Sequence, residues 1–317
     1  MPSAVTSDSV VAAPPSPRFH FGLQLYARLL AIATVILLFA GALVTSEQAG
    51  LSIPDWPLAY HRLIPPFIGN IRFEYTHRVI ATCVGLMTIG MLIWLWRSEP
   101  RRWLRWFGAV ALGCVMAQGI LGGLTVLHFQ PPWLSAAHAS MAQLFFLIAV
   151  SLAVFTGRRW LTPATPLRDG SPGIFALGTA TTAAIYGQLI VGAGYRHGAI
   201  GITPHLVGAA MVTVLAATTI VLTLRRHREG ALRRPALLLL ALLILQLLLG
   251  WMAYSIKIAT EQALQPPENR VLATSVHLVC GALVLATSLV LTLRAKKYLT
   301  AEPAARADLA SAADATR

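Results

Sequence analysis

Eight stretches of about 20 apolar residues divide this chain, the length an α-helix needs to cross the ~30 Å hydrocarbon core of a bilayer. They cover roughly 25–46, 72–96, 103–127, 135–156, 173–195, 202–224, 235–255 and 271–293. No water is available in lipid to satisfy backbone polar groups, so runs of this length imply helices. Composition agrees: of 317 residues, 56% are hydrophobic and 12% charged, well below the ~25% charged of an ordinary soluble domain. The expected fold is an all-α membrane protein. Its eight transmembrane helices form two pseudo-symmetric four-helix bundles, with both termini cytoplasmic. The expected divisions are a disordered tail over 1–24, an N-terminal bundle over 25–157 and a cytoplasmic linker over 158–172. A C-terminal bundle over 173–297 and a disordered tail over 298–317 complete the chain.

The net charge of +13 raises the question of a nucleic-acid partner, and its distribution answers it. Arg97, Arg101, Arg102 and Arg105 follow the second span, and Arg158, Arg159 and Arg168 the fourth. Arg225, Arg226, Arg228, Arg233 and Arg234 follow the sixth, and Arg294, Lys296 and Lys297 the eighth. The alternate connections carry few basic residues. This is the positive-inside pattern, so the basic excess reads as topology and contact with membrane lipid, not nucleic-acid binding. The first residues lack a basic start followed by an apolar core, so no signal peptide is expected. Cys83, Cys114 and Cys280 all fall within spans, and no structural disulfide is expected.

The chain looks internally repeated. The first span ends in GALVTSEQAG and the fifth in GAGYRHGAIG. Gln-x-x-x-Gly recurs in the third, fifth and seventh spans as Gln118/Gly122, Gln188/Gly192 and Gln246/Gly250. Small residues let membrane helices approach closely and a buried amide can bond across them, so the motif reads as packing. The halves differ most after their first span, where the first half inserts GLSIPDWPLAYHRLIPPFIGN. Its prolines exclude a continuous helix. An interfacial loop and a cover over a ligand pocket remain equally open readings.

One histidine stands near the start of each even-numbered span: His77, His138, His205 and His277. All four spans start on one side of the membrane, which puts the rings at a common depth. A single intramembrane histidine can be a satisfied polar residue; four at matching positions point to iron ligation. Two imidazoles on facing helices can approach a heme from opposite sides. The pairs expected are His77/His138 and His205/His277, four axial ligands for two heme irons. His128 and His197 end the third and fifth spans and read as interfacial. His20, His61 and His227 read as solvated. No Cys-x-x-Cys-His for covalent heme attachment is present.

One site carries more than histidine. Glu74 precedes His77 by three residues and shares its helix face, whereas Ser135, Ile202 and Thr274 occupy the same place before the other three. A carboxylate beside one metal site can act as a general base or stabilise positive charge. The structural alternative is an ion pair of Glu74 with Arg78 or Arg72.

At VTSEQAGLSIPDWPL, EYTHR, QLIVGAGYRH and the histidine-bearing starts of the even spans, the chain resembles the heme A synthase family. The resemblance covers about residues 25–295. It implies an oxidoreductase acting on CH groups in the cell (inner) membrane, with its heme sites toward the outer face. Heme O would be oxidised at a porphyrin methyl to the formyl of heme A, with water as the oxygen source. His77 and His138 would flank heme O as substrate, and His205 and His277 would bind a permanent heme b. Glu74 would be catalytic, stabilising a carbocation-like intermediate or positioning water. A heme O synthase would act upstream and an unidentified acceptor would take the electrons; association between like chains stays open. Some relatives carry a cysteine pair in the first outer loop, and residues 47–71 contain none. The main rival is a bis-histidine di-heme cytochrome b subunit that only transfers electrons; a transporter ranks third.

Overall fold

The structure, a computed structural model, describes residues 19–164, 167–170, 173–228 and 230–299. Its helices are α1 (Phe21–Ser46), α2 (Ile71–Ser98), α3 (Arg102–Leu127), α4 (Pro132–Phe155), α5 (Arg158–Leu161), α6 (Ile174–Arg196), α7 (Thr203–Arg226), α8 (Gly230–Ala259) and α9 (Glu268–Leu299). Eight are long and apolar enough to cross a membrane, one for each apolar run. The remaining one, α5, is a single turn inside the expected linker.

Helix ends depart from the apolar limits. Helix α1 begins within the segment expected as a tail, and α9 continues to Leu299, past the expected boundary at 297. An apolar window reports the part of a helix inside lipid, while basic residues such as Arg294 and Lys297 carry the same helix onward into water. The outer parts of both expected tails, 1–18 and 300–317, lie outside the described residues.

Helix α8 starts five residues before Pro235, where the apolar run begins. Proline has no N–H for the carbonyl four residues earlier, and an unpaired carbonyl is costly in a membrane. Arg294 of α9 supplies the missing donor: its Nη1 donates to the Ala231 carbonyl at 3.0 Å.

The packing order is two rings. Helices α1 and α3 each pack against both α2 and α4; α6 and α8 each pack against both α7 and α9. Thus α2 faces α4 across one ring, and α7 faces α9 across the other. The rings meet through α1 with α9 and α4 with α6 and α9. Leu30, Val84, Leu95, Leu104 and Leu152 form the first core, and Ile185, Ile220, Leu239 and Leu285 the second. Leu38, Phe146 and Ala282 fill the seam.

Lipid tails are as apolar as leucine, so close packing and polar bonds must hold membrane helices together. Gly178 accordingly lies against Thr292, and hydroxyl pairs join α6 to its neighbours: Thr181 with Thr219 at 2.7 Å and Thr182 with Ser288 at 2.8 Å. The three cysteines are free.

His227 corrects an expectation. It is buried, not solvated, with Nε2 3.7 Å from Asp169 Oδ1. Asp169 also accepts the Ile174 N–H at 2.8 Å, which caps the first turn of α6. The carboxylate before α6 thus lies beside the residue after α7, a proximity no local pattern signals.

Candidate functional site

His205 stands in the first turn of α7, His77 and His138 in the second turns of α2 and α4, and His277 in the third turn of α9; all four residues are half-buried. Every one is seated on a glycine of the preceding long helix. A methyl group added at Gly41 would come 3.0 Å from His77 Cε1. The corresponding distances are 3.0 Å for Gly122 and His138, 3.1 Å for Gly192 and His205, and 3.0 Å for Gly250 and His277. A Cβ at any of the four would crowd the ring, so glycine eases this close approach of helix backbone and imidazole.

One turn before three of these glycines stands a glutamine. Gln118 Nε2 donates to the His138 carbonyl at 3.0 Å and lies 3.4 Å from its ring nitrogen. Gln188 Nε2 donates to the His205 carbonyl at 2.7 Å and lies 3.0 Å from Nδ1. Gln246 Nε2 lies 3.3 Å from His277 Nε2. The Gln-x-x-x-Gly motif does join neighbouring helices, as packing requires, and in each case its partner is the histidine. In α1 the equivalent place is Leu37, which has no side-chain amide to offer.

This arrangement suits a metal-bound imidazole. His77, His138 and His277 each hold a buried Nδ1 with no hydrogen-bond partner. A ring nitrogen left without a protein partner is free to meet a metal, while the glutamine amide lies against the other nitrogen of His138 and His277. The His205 and His277 ring centroids are 6.5 Å apart at 81°. Two imidazoles each bound at about 2.0–2.1 Å to one shared metal bring their centroids to roughly 6.2 Å. Among the described residues no three or more His, Cys, Asp or Glu gather around one point, so an ion here would need further donors. A porphyrin supplies four nitrogens of its own, and the residues fit heme.

Adding the missing methyl should disturb the seat. Gly250→Ala is expected to lower bound heme several-fold or shift its absorption, while Gly119→Ala, where nothing lies within 4 Å, should change neither. Heme absorption of the two purified variants checks this. Equal spectra would remove the glycine's role.

Glu74 is 3% exposed and fully engaged. Oε1 accepts from Arg78 Nη2 at 2.6 Å, and Oε2 accepts the Ile53 N–H at 2.9 Å. Arg78 continues into the loop, donating to the carbonyls of Asp55 at 2.8 Å, Leu58 at 2.9 Å and Ile53 at 3.3 Å. The expected ion-pair partner Arg78 is therefore real, while Arg72 lies over the Phe73 ring instead. The pair also ties the inserted loop to α2. Ile53 is fully buried, Trp56 lies against Gly123 of α3, and Gln130 lies against Gly50. Within the loop, the N–H of His61, with that of Tyr60, holds the Asp55 carboxyl below its usual range. The loop is thus folded onto the first ring, as a cover would be, while Leu63, Ile64, Phe67 and Ile68 stay exposed, as in an interfacial loop.

Arg196 was not singled out by sequence as a site residue, and it sits at the seam. Its Nη2 donates to the Ala42 carbonyl and Ser46 Oγ, both at 2.8 Å, and Ser46 bonds Thr274 and Ser275 of α9 at 3.0 Å. Its Nε is buried without a partner. No acidic residue is within ion-pair distance among the described residues. Beside it, Tyr195 stacks on His205 with centroids 6.2 Å apart and receives a bond from Lys257 at 2.7 Å. His128 and His197 follow α3 and α6 directly; His128 is exposed, with Nδ1 3.0 Å from the Leu124 carbonyl.

A family model described as a cytochrome oxidase assembly protein matches residues 67–204. That span contains Glu74, His77 and His138. The chain is similar to a heme A synthase of Symbiobacterium thermophilum, 30% identical over 255 residues, which cover 68% of this chain and 81% of that protein. It is 33% identical over 162 residues to a heme A synthase of Halalkalibacterium halodurans, and 31% over 139 to one of Alkalihalophilus pseudofirmus. Those matches cover 50% and 43% of this chain, and 51% and 46% of the relatives. The chain thus spans about half the length of the latter two.

Proposed function

The chain belongs to the heme A synthase family, and we propose that it oxidises a porphyrin methyl of heme O to the formyl group of heme A, with water as oxygen source. The observation that carries this reading is an asymmetry. Both rings place two histidines on opposite helices, but only the first adds a buried carboxylate three residues before one of them.

In this reading His77 and His138 hold the substrate heme, and His205 and His277 hold a permanent heme b whose iron supplies a one-electron redox centre. The two rings are then pseudo-symmetric halves with different duties, their histidine ends toward the outer face and both termini cytoplasmic. The glycine seats fix imidazole position, and the glutamine amides fix the orientation of the His138, His205 and His277 rings. Arg196, with its unpartnered Nε, receives a heme carboxylate at the seam. The loop over residues 50–70 covers the first site and excludes bulk water. Glu74 provides negative charge beside the substrate and holds the attacking water or its proton. Arg78 holds that carboxylate in place. A heme O synthase supplies the substrate, and a separate acceptor removes electrons from the second site.

A pure electron-transfer subunit uses the histidines equally well, but leaves the carboxylate only its anchoring of the loop, and its relatives would not be heme A synthases. Deleting the gene separates the two. Cells lacking the chain should accumulate heme O and contain no heme A, and wild-type expression should restore it. Normal heme A in the deletion would overturn the proposal.

A further inference from the structure

At the end of the fold away from the histidines, two adjoining cavities of about 230 and 250 Å³ open between α5, α8 and α9. Either is far larger than the ~10–15 Å³ one water occupies. They share three lining residues: Arg159 of α5, Arg234 of α8 and Arg294 of α9. The first is completed by Trp160 and Tyr298, aromatic residues of the kind that settle at a membrane interface. The second runs along apolar side chains, Leu238 of α8 and Ala286 and Val290 of α9. A cationic, aromatic-edged mouth thus leads into an apolar trough between two membrane helices.

The charges lack an internal answer. No Asp or Glu lines either cavity, and neither Arg159 nor Arg234 has an acidic partner among the described residues. On the same side of the first ring the pattern is different: Arg101 pairs with Glu99 at 2.7 Å and lies near the Trp103 ring. Lys297, which also borders the first cavity, is spent on structure. Its Nζ donates to the carbonyls of Arg159, Trp160 and Thr162, which pins the α4–α6 connection to α9. Arg294 gives one nitrogen to the Ala231 carbonyl. Topology alone asks for basic residues on this side; it does not ask for three guanidinium groups around one cavity that continues into an apolar groove. Basic pockets between membrane helices recognise anionic lipid headgroups, and guanidinium is well shaped for phosphate.

We propose that this is a binding site for one anionic phospholipid. Its phosphate lies among Arg159, Arg234 and Arg294, and an acyl chain lies along the α8–α9 trough. The lipid bridges α5, α8 and α9, completing the contact between the connection of the two rings and the second ring. The site is independent of the heme chemistry.

Native mass spectrometry of the delipidated full-length chain in detergent tests it. The titrants are dioctanoyl phosphatidylglycerol, dioctanoyl phosphatidylcholine and inorganic phosphate. One phosphatidylglycerol should bind saturably, at least about tenfold more tightly than phosphatidylcholine. The double variant Arg159→Gln/Arg234→Gln should lose about tenfold or more of that affinity, as expected for two basic residues at a lipid surface. Val290→Trp, which fills the trough, should weaken phosphatidylglycerol as well. Arg102→Gln/Arg105→Gln, a matched charge loss elsewhere on this side, should bind as wild type. Equal binding of the two lipids, an unaffected double variant, or equal losses in both double variants would each overturn the proposal. Displacement of the lipid by inorganic phosphate at comparable concentration, or an unaffected Val290→Trp, would reduce it to a simple anion site and overturn the lipid assignment. Circular dichroism and monodispersity of each variant confirm that the comparison is between folded proteins.

Discussion

Glu74→Gln is expected to lower heme A formation by about 100-fold or more, while the heme held by His205 and His277 stays bound. A positioned acid–base group typically contributes 10²–10⁴-fold. Glutamine keeps an oxygen that can accept the Ile53 N–H, so the loop retains that anchor, and the change falls on charge. The structural duty of Glu74 is nonetheless real. It is buried and paired at 2.6 Å, and removing one partner of a buried pair costs about 3–5 kcal/mol. Limited proteolysis of the 50–70 loop separates the two duties. Arg78→Gln should loosen the loop as much as or more than Glu74→Gln, because it loses three carbonyl contacts as well as the carboxylate. If Glu74→Gln turns over at the wild-type rate with an intact loop, Glu74 is an anchor only.

His205→Ala or His277→Ala is expected to abolish the low-spin bis-imidazole spectrum of the second site and with it nearly all turnover. Each removes one of the two imidazoles proposed to hold the second heme, whose ring centroids lie 6.5 Å apart. His77→Ala should leave that spectrum in place and stop heme A formation, because it acts at the first site. The contrast between the halves is the informative part. A spectrum lost equally in all three variants would contradict two separate sites. A spectrum unchanged in His205→Ala would remove the second site as a heme centre.

Much of this was legible because a membrane simplifies the code. A helix in lipid must satisfy its own backbone, so length and apolarity alone located eight long helices. The histidines stood out for the same reason, since polar groups are rare there. What sequence missed depends on partners far along the chain. Gln118, Gln188 and Gln246 were visible as a motif but read as packing, because nothing local says that the facing residue is the histidine of the next helix. The place of Gly41 in the same scheme was hidden, since Leu37 breaks the motif. Arg196 looked like an ordinary helix-end cation until α1 and α9 closed around it. His227 looked solvated because the basic run Arg225–Arg228 surrounds it, while its partner Asp169 lies on the other side of α6 and α7. The loop was ambiguous for a similar reason: its anchor is Arg78, a residue of α2.

The central claim is that these imidazole pairs grip heme iron, with conversion of heme O confined to the pair beside Glu74. Extracting and identifying the hemes of the purified wild-type protein and of Glu74→Gln tests it most directly. Heme b should be present in both, accompanied by heme A or oxidised heme O in the wild type and by unreacted heme O alone in the variant. A purified protein without heme, or a variant that still contains heme A, would contradict the account.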